Sequence, residues 1–309
     1  MINLTTLLEP YLTISIIGMA KNVGKTTTLN HLIEHFNGQQ VKLALTSIGR
    51  DGESVDVVTK TAKPEIYVYS GTYIITAEQL LPLCDITKEI VWVTEINTPM
   101  GRVVILRACS DGFVQLGGPS MTRQISDVLK DLPVDKVIVD GAISRKSLAN
   151  PEVTEATILC TGASLSRSQA TAIEETRHAV EILTLPKLAD ELLAKLEGAT
   201  EGICAPEDGV IYMPGAVSEG RVRDLILSSA KLKDIVIVAD DPSKIFIKPA
   251  TYEKLRIKGG VLRVLNPIHL AAVTVNPTSP YDIGFDPQLF LKQMREALAV
   301  PVYDVKEEF

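Results

Sequence analysis

Apolar runs alternate with stretches of helical periodicity along the whole chain. "LTISIIG" (12–18) is almost wholly apolar, which predicts a strand buried on both faces. Over 26–37, Leu29, Leu32, Ile33 and Phe36 recur at i, i+3, i+4 and i+7, which predicts a helix with one apolar face. Further strands are predicted at "VKLALTSIG" (41–49), "EIYVYS" (65–70), "EIVWVTEI" (89–96) and "GRVVILRAC" (101–109). The turn residues "NTPMG" between the last two suggest a hairpin. A helix over 120–132 aligns Met121, Ile125, Val128, Leu129 and Leu132, and the strand "KVIVDGA" (136–142) follows. "ATILCTGA" (156–163) and a helix at about 167–183 come next. Strand and helix in this alternation imply a parallel sheet with helices on both faces.

Between 184 and 205 the pattern breaks into prolines and glycines around one short helix. The expected organisation is therefore a first domain over 1–190 and a smaller second α/β domain over 191–309, with one continuous sheet as the alternative. The second set holds "GVIYMPG", a helix over 219–232, "DIVIVAD", a helix over 249–258, "GVLRVLN", "LAAVTVNP", a helix over 287–298 and "VPVYDV". Asp286 is placed to cap that last helix and Pro287 to occupy its first position.

Composition narrows the function classes. Hydrophobic residues at 46% and charged residues at 22% describe a globular chain that buries a core. With a net charge of −7 and no Lys/Arg run, no nucleic-acid partner is expected. No apolar stretch is long enough for a membrane span and the N-terminus does not read as a signal peptide, so a cytoplasmic location is expected. Cys84, Cys109, Cys160 and Cys204 are widely spaced, as expected for reduced thiols.

The chemistry concentrates in "GMAKNVGKTTTLNHLIEH" (18–35). Gly18 ends a strand and Gly24-Lys25-Thr26 opens a helix. Backbone N–H groups in such a turn converge on phosphate oxygens, and the helix N-terminus adds its positive dipole end. Gly18, Asn22, Val23, Gly24, Lys25, Thr26 and Thr27 are thus candidate nucleotide-binding residues, and the expected fold is P-loop NTPase-like. Lys25 would reach the β- and γ-phosphates, and the Thr26 hydroxyl would ligate Mg²⁺. Five residues separate the two glycines where the standard loop has four, a spacing similar to that of dethiobiotin synthetase. Two acids follow apolar strands and would point into the same crevice. Asp140 ends "VIVD", and Asp51 lies in "TSIGRDGESVD". Both are candidate Mg²⁺ ligands with Thr26, and Lys25 and Asp51 are the candidate catalytic side chains. Capping a helix or a turn is the alternative for either acid. "GGPS" (117–120) is an anion cradle, a switch or a plain turn, and Asn276 reads an adenine edge or forms an Asn-Pro turn.

"HLIEH" (31–35) matches a zinc-hydrolase pattern. His31 and His35 lie away from the centre of the apolar face and one to two turns beyond the loop, so a polar or half-buried face is the expected role.

Six segments together resemble a family. "GMAKNVGKTTTLN", "TSIGRDGESVD", "TPMGRVVILRACSDGFVQLGGPS", "VIVDGAISRKS", "VTVNPTSPYDIGFDP" and "VPVYDV" resemble the smaller, P-loop subunit of the factors that reactivate lysine 5,6-aminomutase and ornithine aminomutase. The resemblance runs over nearly all of the chain. It implies ATP or another purine nucleotide and Mg²⁺ as ligands. It also implies a mismatch-repair-like ATPase subunit and an adenosylcobalamin-dependent aminomutase as partners. The implied role is to couple nucleotide binding or hydrolysis to release of damaged cofactor, with slow NTP hydrolysis by this chain left open. The other reading is an ATP-dependent small-molecule enzyme similar to dethiobiotin synthetase, or a metabolite kinase. The sequence leaves the oligomeric state open, a homodimer among the options.

Overall fold

The computed structural model describes residues 3–48, 65–119, 121–130, 132–141, 154–196, 209–228, 232, 235–280, 284–304 and 306. In chain order the first part holds α1 (Leu4–Leu8), β1 (Thr13–Gly18), α2 (Lys25–Gly38), β2 (Leu43–Ser47), β3 (Ile66–Val68), β4 (Tyr73–Ala77), β5 (Lys88–Thr98), β6 (Gly101–Ala108), β7 (Gly112–Val114), α3 (Thr122–Leu129), β8 (Lys136–Asp140) and β9 (Ala156–Gly162). Then come α4 (Gln169–Leu183), α5 (Asp190–Leu196), β10 (Val210–Tyr212), β11 (Val217–Ser218), α6 (Glu219–Ser228), β12 (Val236–Ala239), β13 (Ile245–Phe246), α7 (Pro249–Ile257) and β14 (Val261–Val264). The chain ends in β15 (Leu270–Asn276), α8 (Pro287–Ala297) and β16 (Val302–Tyr303).

A nine-stranded sheet, in the order β16-β15-β9-β1-β8-β2-β4-β6-β5, dominates this mixed α/β structure. Every neighbouring pair from β16 to β4 is parallel, and β6 runs antiparallel to both β4 and β5. Alternation along the strands sends side chains to two faces. Ile14, Ile16, Leu43, Leu45, Ile74, Val104, Leu106, Ile138 and Ile158 pack on one face with Leu4 and Leu8 of α1 and with the apolar stripe of α2. Their neighbours Ile75, Val103 and Ile105 turn to the other face, where they meet Val128 of α3. Helices thus cover both faces.

Lys136 is a buried cation at the start of β8, only 9% exposed. Its ammonium donates to the carbonyls of Leu8, Glu9 and Tyr11, which closes the C-terminal end of α1. Burial lowers its pKa. At the other end of the chain Asp286 caps α8 as expected, accepting from Leu289 N at 2.8 Å, with Pro287 in the first turn.

The chain divides into two compact units, one of 1–173 with 270–309 and one of 174–269. This differs from the expected division into 1–190 and 191–309. β15 returns to pair in parallel with β9, and β16 pairs with β15, so the last forty residues complete the large sheet. The second unit is built on its own three-stranded parallel sheet, β10-β12-β14. Its core gathers Ile211, Val222, Ile237, Leu255 and Leu262. At the carboxyl ends of its strands Asp240 accepts from Tyr212 Oη at 2.5 Å and from Gly215 N at 3.0 Å. That bond pushes the Tyr212 hydroxyl up to about 12, so it stays a donor. Among the described residues no helix is long and apolar enough to cross a membrane.

Candidate functional site

β1 lies where the strand order reverses. The chain leaves β1 through α2 to reach β2 on one side, with β8 between them, while β9, β15 and β16 lie on the other side. In parallel sheets a ligand binds beyond the carboxyl ends of the strands at such a point. The segment from Gly18 to Lys25 occupies that position.

Its path follows from four residues. A Cβ at Gly18 would stand 2.9 Å from both Lys25 Cγ and Val23 Cγ2, so glycine here lets the lysine stem lie across the strand end. Asn22 (φ 60°) and Gly24 (φ 89°) are both left-handed, which turns the chain sharply from strand to helix. Gly24 is the N-cap of α2 and offers no side chain to cap it. The orphan N–H groups of the first helical turn, that of Lys25, Thr26 and Thr27, are therefore left for a ligand to satisfy. Val23 is 2% exposed and plugs the loop into the core.

Neighbouring strands pin the loop. Met19 N donates to Cys160 O at 2.9 Å, at the end of β9. The Asn22 carbonyl accepts from Asn276 Nδ2 at 3.1 Å and from Ser164 Oγ at 3.2 Å. Asn276 in turn accepts at Oδ1 from Thr278 N and Thr278 Oγ1, at 3.2 and 2.8 Å. Below the loop, Thr274 Oγ1 lies 3.1 Å from both Thr28 Oγ1 and Cys160 Sγ. Burial pushes the Cys160 thiol up to about 11, so it is a packed, unreactive thiol. On this side Thr27, Asn276, Asp304 and Lys306 line a pocket beside the first turn of α2.

On the opposite side the charges meet. Lys25 Nζ donates to Asp140 Oδ1 at 3.0 Å and to the Gly141 carbonyl. Both side chains keep about a quarter of their surface exposed, 24% and 25%, so the pair is open to an incoming ligand. In register, Asp140 lies between Ile16 of β1 and Ser47 of β2. Gly118 closes over Ser47, its N–H donating to Ser47 O at 3.1 Å. Gly117, Gly118 and Pro119 are buried, so this described part of the stretch is packed against β2 and not an open cradle. A Cβ at Gly118 would stand 2.3 Å from both Ser47 O and Thr46 Oγ1. Gly118→Ala is therefore expected to cost about 1–3 kcal/mol through the forced backbone shift. Urea denaturation beside the wild type measures it, and an unchanged midpoint would contradict this packing.

The structure thus brings Gly18, Asn22, Val23, Gly24 and Lys25 together with Asp140, and places Thr26 and Thr27 in the first turn of α2. Asp51 lies outside the described residues. Asn276 and Ser164 were not legible as loop anchors. Asn276 reads locally as an Asn-Pro turn, and its partner is 254 residues away. His31 and His35 are half-buried on α2. Burial, then the neighbouring His35, lowers the pKa of His31, and His35 Nε2 is buried without a partner. Among the described residues no three His, Cys, Asp or Glu side chains cluster closely enough to hold a metal ion. Mg²⁺ bound through phosphate oxygens takes only one or two protein ligands, so Thr26 and Asp140 stay candidates for it without such a cluster.

One more observation bears on a ligand. Asn22 Nδ2 is buried and has no hydrogen-bond partner. Lys25 and the orphan N–H groups of the first turn, on the same loop as this amide, make a set of donors with one acid at its edge. That set fits an anion accompanied by a divalent cation. No protein-family model, no curated protein and no solved structure matches this chain.

Proposed function

We propose that residues 18–27 hold the triphosphate of a purine nucleotide with Mg²⁺, and that the chain is the nucleotide-binding subunit of a reactivase for a cobalamin-dependent aminomutase. The observation that carries the binding site is the meeting of Lys25 and Asp140 at 3.0 Å across the ends of β1 and β8, at the start of a helix whose N-cap, Gly24, brings no capping side chain. In this reading Lys25 leaves the Gly141 carbonyl for phosphate, Thr26 ligates Mg²⁺, and Asp140 turns to the ion or to its water. Mg²⁺ would neutralise the phosphate charge that the loop donors do not reach. The reversal of strand order at β1 supports a P-loop NTPase-like fold. The reactivase role is supported by the six segments that resemble that family. Its physical content is that nucleotide changes a surface seen by the mutase and by the partner ATPase.

Calorimetric titration of the full chain with ATP and with GTP, in Mg²⁺, tests the site. Absence of heat with both, at concentrations that detect a Kd of ~100 μM, would remove it. Asn276→Ala frees the Asn22 carbonyl without touching a phosphate donor. It is expected to weaken binding by roughly 3- to 10-fold, the worth of about one hydrogen bond. Co-purification with lysine or ornithine aminomutase and the ATPase subunit, with and without nucleotide, tests the role. A chain that binds nucleotide but neither partner would leave the site standing and discard the reactivase.

A further inference from the structure

β5 ends the nine-stranded sheet, and among the described residues no strand pairs with its outer edge. At eleven residues it is also the longest strand there. Proteins ordinarily keep such edges short, charged or covered, because their outward N–H and C=O groups are a template for another strand. Here three consecutive apolar side chains stand in solvent: Ile90 is 56% exposed, Val91 47% and Trp92 50%.

A regular strand sends consecutive residues to opposite faces. The pairing with β6 runs Ile90↔Leu106 and then Trp92↔Ile105, so Val91 is an extra residue, a bulge. The bulge reverses the phase of the strand. Before it, Lys88 and Ile90 lie opposite Ala108 and Leu106, residues of the main core face. After it, Val93 lies opposite Val104 on that same face, while Ile96 packs on the other. A second irregularity between Val93 and Asn97 leaves Thr94, Glu95 and Ile96 outside the paired register with β6. Alternation between Val93 on one face and Ile96 on the other still puts Glu95 on the face of Val93, Ile90 and Lys88.

We propose that two copies of this chain associate edge to edge through β5, antiparallel about a two-fold axis between Val91 and Trp92. In that register Lys88 of one copy lies opposite Glu95 of the other, Ile90 opposite Val93, and Glu89 opposite Thr94. Every opposed pair whose faces are fixed above shares a face, and no like charges face each other. The two-fold makes each pairing twice. An unbulged strand could not pair this way, because each residue would meet one turned to the opposite face. The Lys88 ammonium donates to Cys84 O at 2.8 Å and Ile86 O at 3.4 Å, and its third N–H is available for a carboxylate. The contact is small, so association belongs at the weak end of specific interfaces.

Trp92 is the one tryptophan of the chain, so its emission reports this edge alone. The test is sedimentation equilibrium of the full chain between ~1 and ~100 μM, with Trp92 emission and acrylamide quenching followed over the same range. The expected result is a reversible monomer–dimer equilibrium in which the emission shifts to the blue and quenching falls as the dimer forms. Val91→Lys and Glu95→Lys are each expected to raise the dimer Kd at least ~10-fold with unchanged monomer melting, since both side chains are exposed. Glu95→Lys leaves the apolar patch intact and so reads the register. A monomer at every concentration, a dimer indifferent to both variants, or species that grow past the dimer would each overturn the two-fold pairing.

Discussion

Lys25→Ala is expected to weaken nucleotide binding roughly 10- to 150-fold, the equivalent of about 1.5–3 kcal/mol for a charge-assisted contact. The size follows from position. Lys25 is the loop cation whose ammonium meets Asp140, and its stem lies across Gly18, where a Cβ would be 2.9 Å from Lys25 Cγ. The cost to the ligand-free fold is far smaller. The ion pair with Asp140 is about a quarter exposed, and exposed pairs contribute about 1 kcal/mol or less. Titration of wild type and variant with ATP, beside thermal melts of both, separates the two effects. An unchanged affinity would show that phosphate does not sit between Lys25 and the loop. A collapse of the melting temperature would show instead that the lysine is a structural tie between β1 and β8.

The part of the site built from neighbouring residues was legible in sequence, and the part built across the chain was not. β1, α2, β8 and β9 are long apolar or amphipathic stretches, because a central parallel strand is buried on both faces and a covering helix on one. Gly18, Gly24 and Lys25 declared themselves by spacing. β4 gave no such signal. "YIITA" is five residues long, and a run that short does not separate strand from turn or buried helix. The return of the chain at Leu270 was hidden for a different reason, since pairing between β15 and β9 is a long-range choice. One local clue existed. β15 has seven residues and six of them are buried, whereas β10, β12 and β14 have three or four, so β15 fits the interior of the larger sheet. That return also delivers Asn276 to the loop. A Cβ at Gly162 would stand 2.2 Å from Asn276 O, so the glycine that ends β9 admits the strand which carries the anchor.

Asp140→Asn is expected to weaken nucleotide binding in Mg²⁺ and to leave it level or strengthen it without the ion. In the ligand-free protein Asp140 holds Lys25 at 3.0 Å, so the carboxylate competes with phosphate for the same ammonium. Removing its charge while keeping its size releases Lys25. In EDTA, affinity should then stay level or rise by a few fold, since a neutral amide oxygen accepts from Lys25 about half as strongly as a carboxylate. In Mg²⁺ the outcome differs. Asp140 ends β8 beside the loop, and in the proposed site its negative oxygen would be the share of the ion's coordination, direct or through water, that the protein adds to Thr26. Its loss should weaken binding about tenfold or more, while the apo melting temperature moves little because the pair is partly exposed. Affinities of wild type and variant in both media give four numbers, and the prediction is that a loss appears in Mg²⁺ alone. Equal loss in Mg²⁺ and in EDTA would refute the metal role and leave Asp140 as a positioning partner of Lys25. Gain in both media would mean that the carboxylate only repels phosphate, and the cation would then have to be held by Thr26 and the phosphates alone.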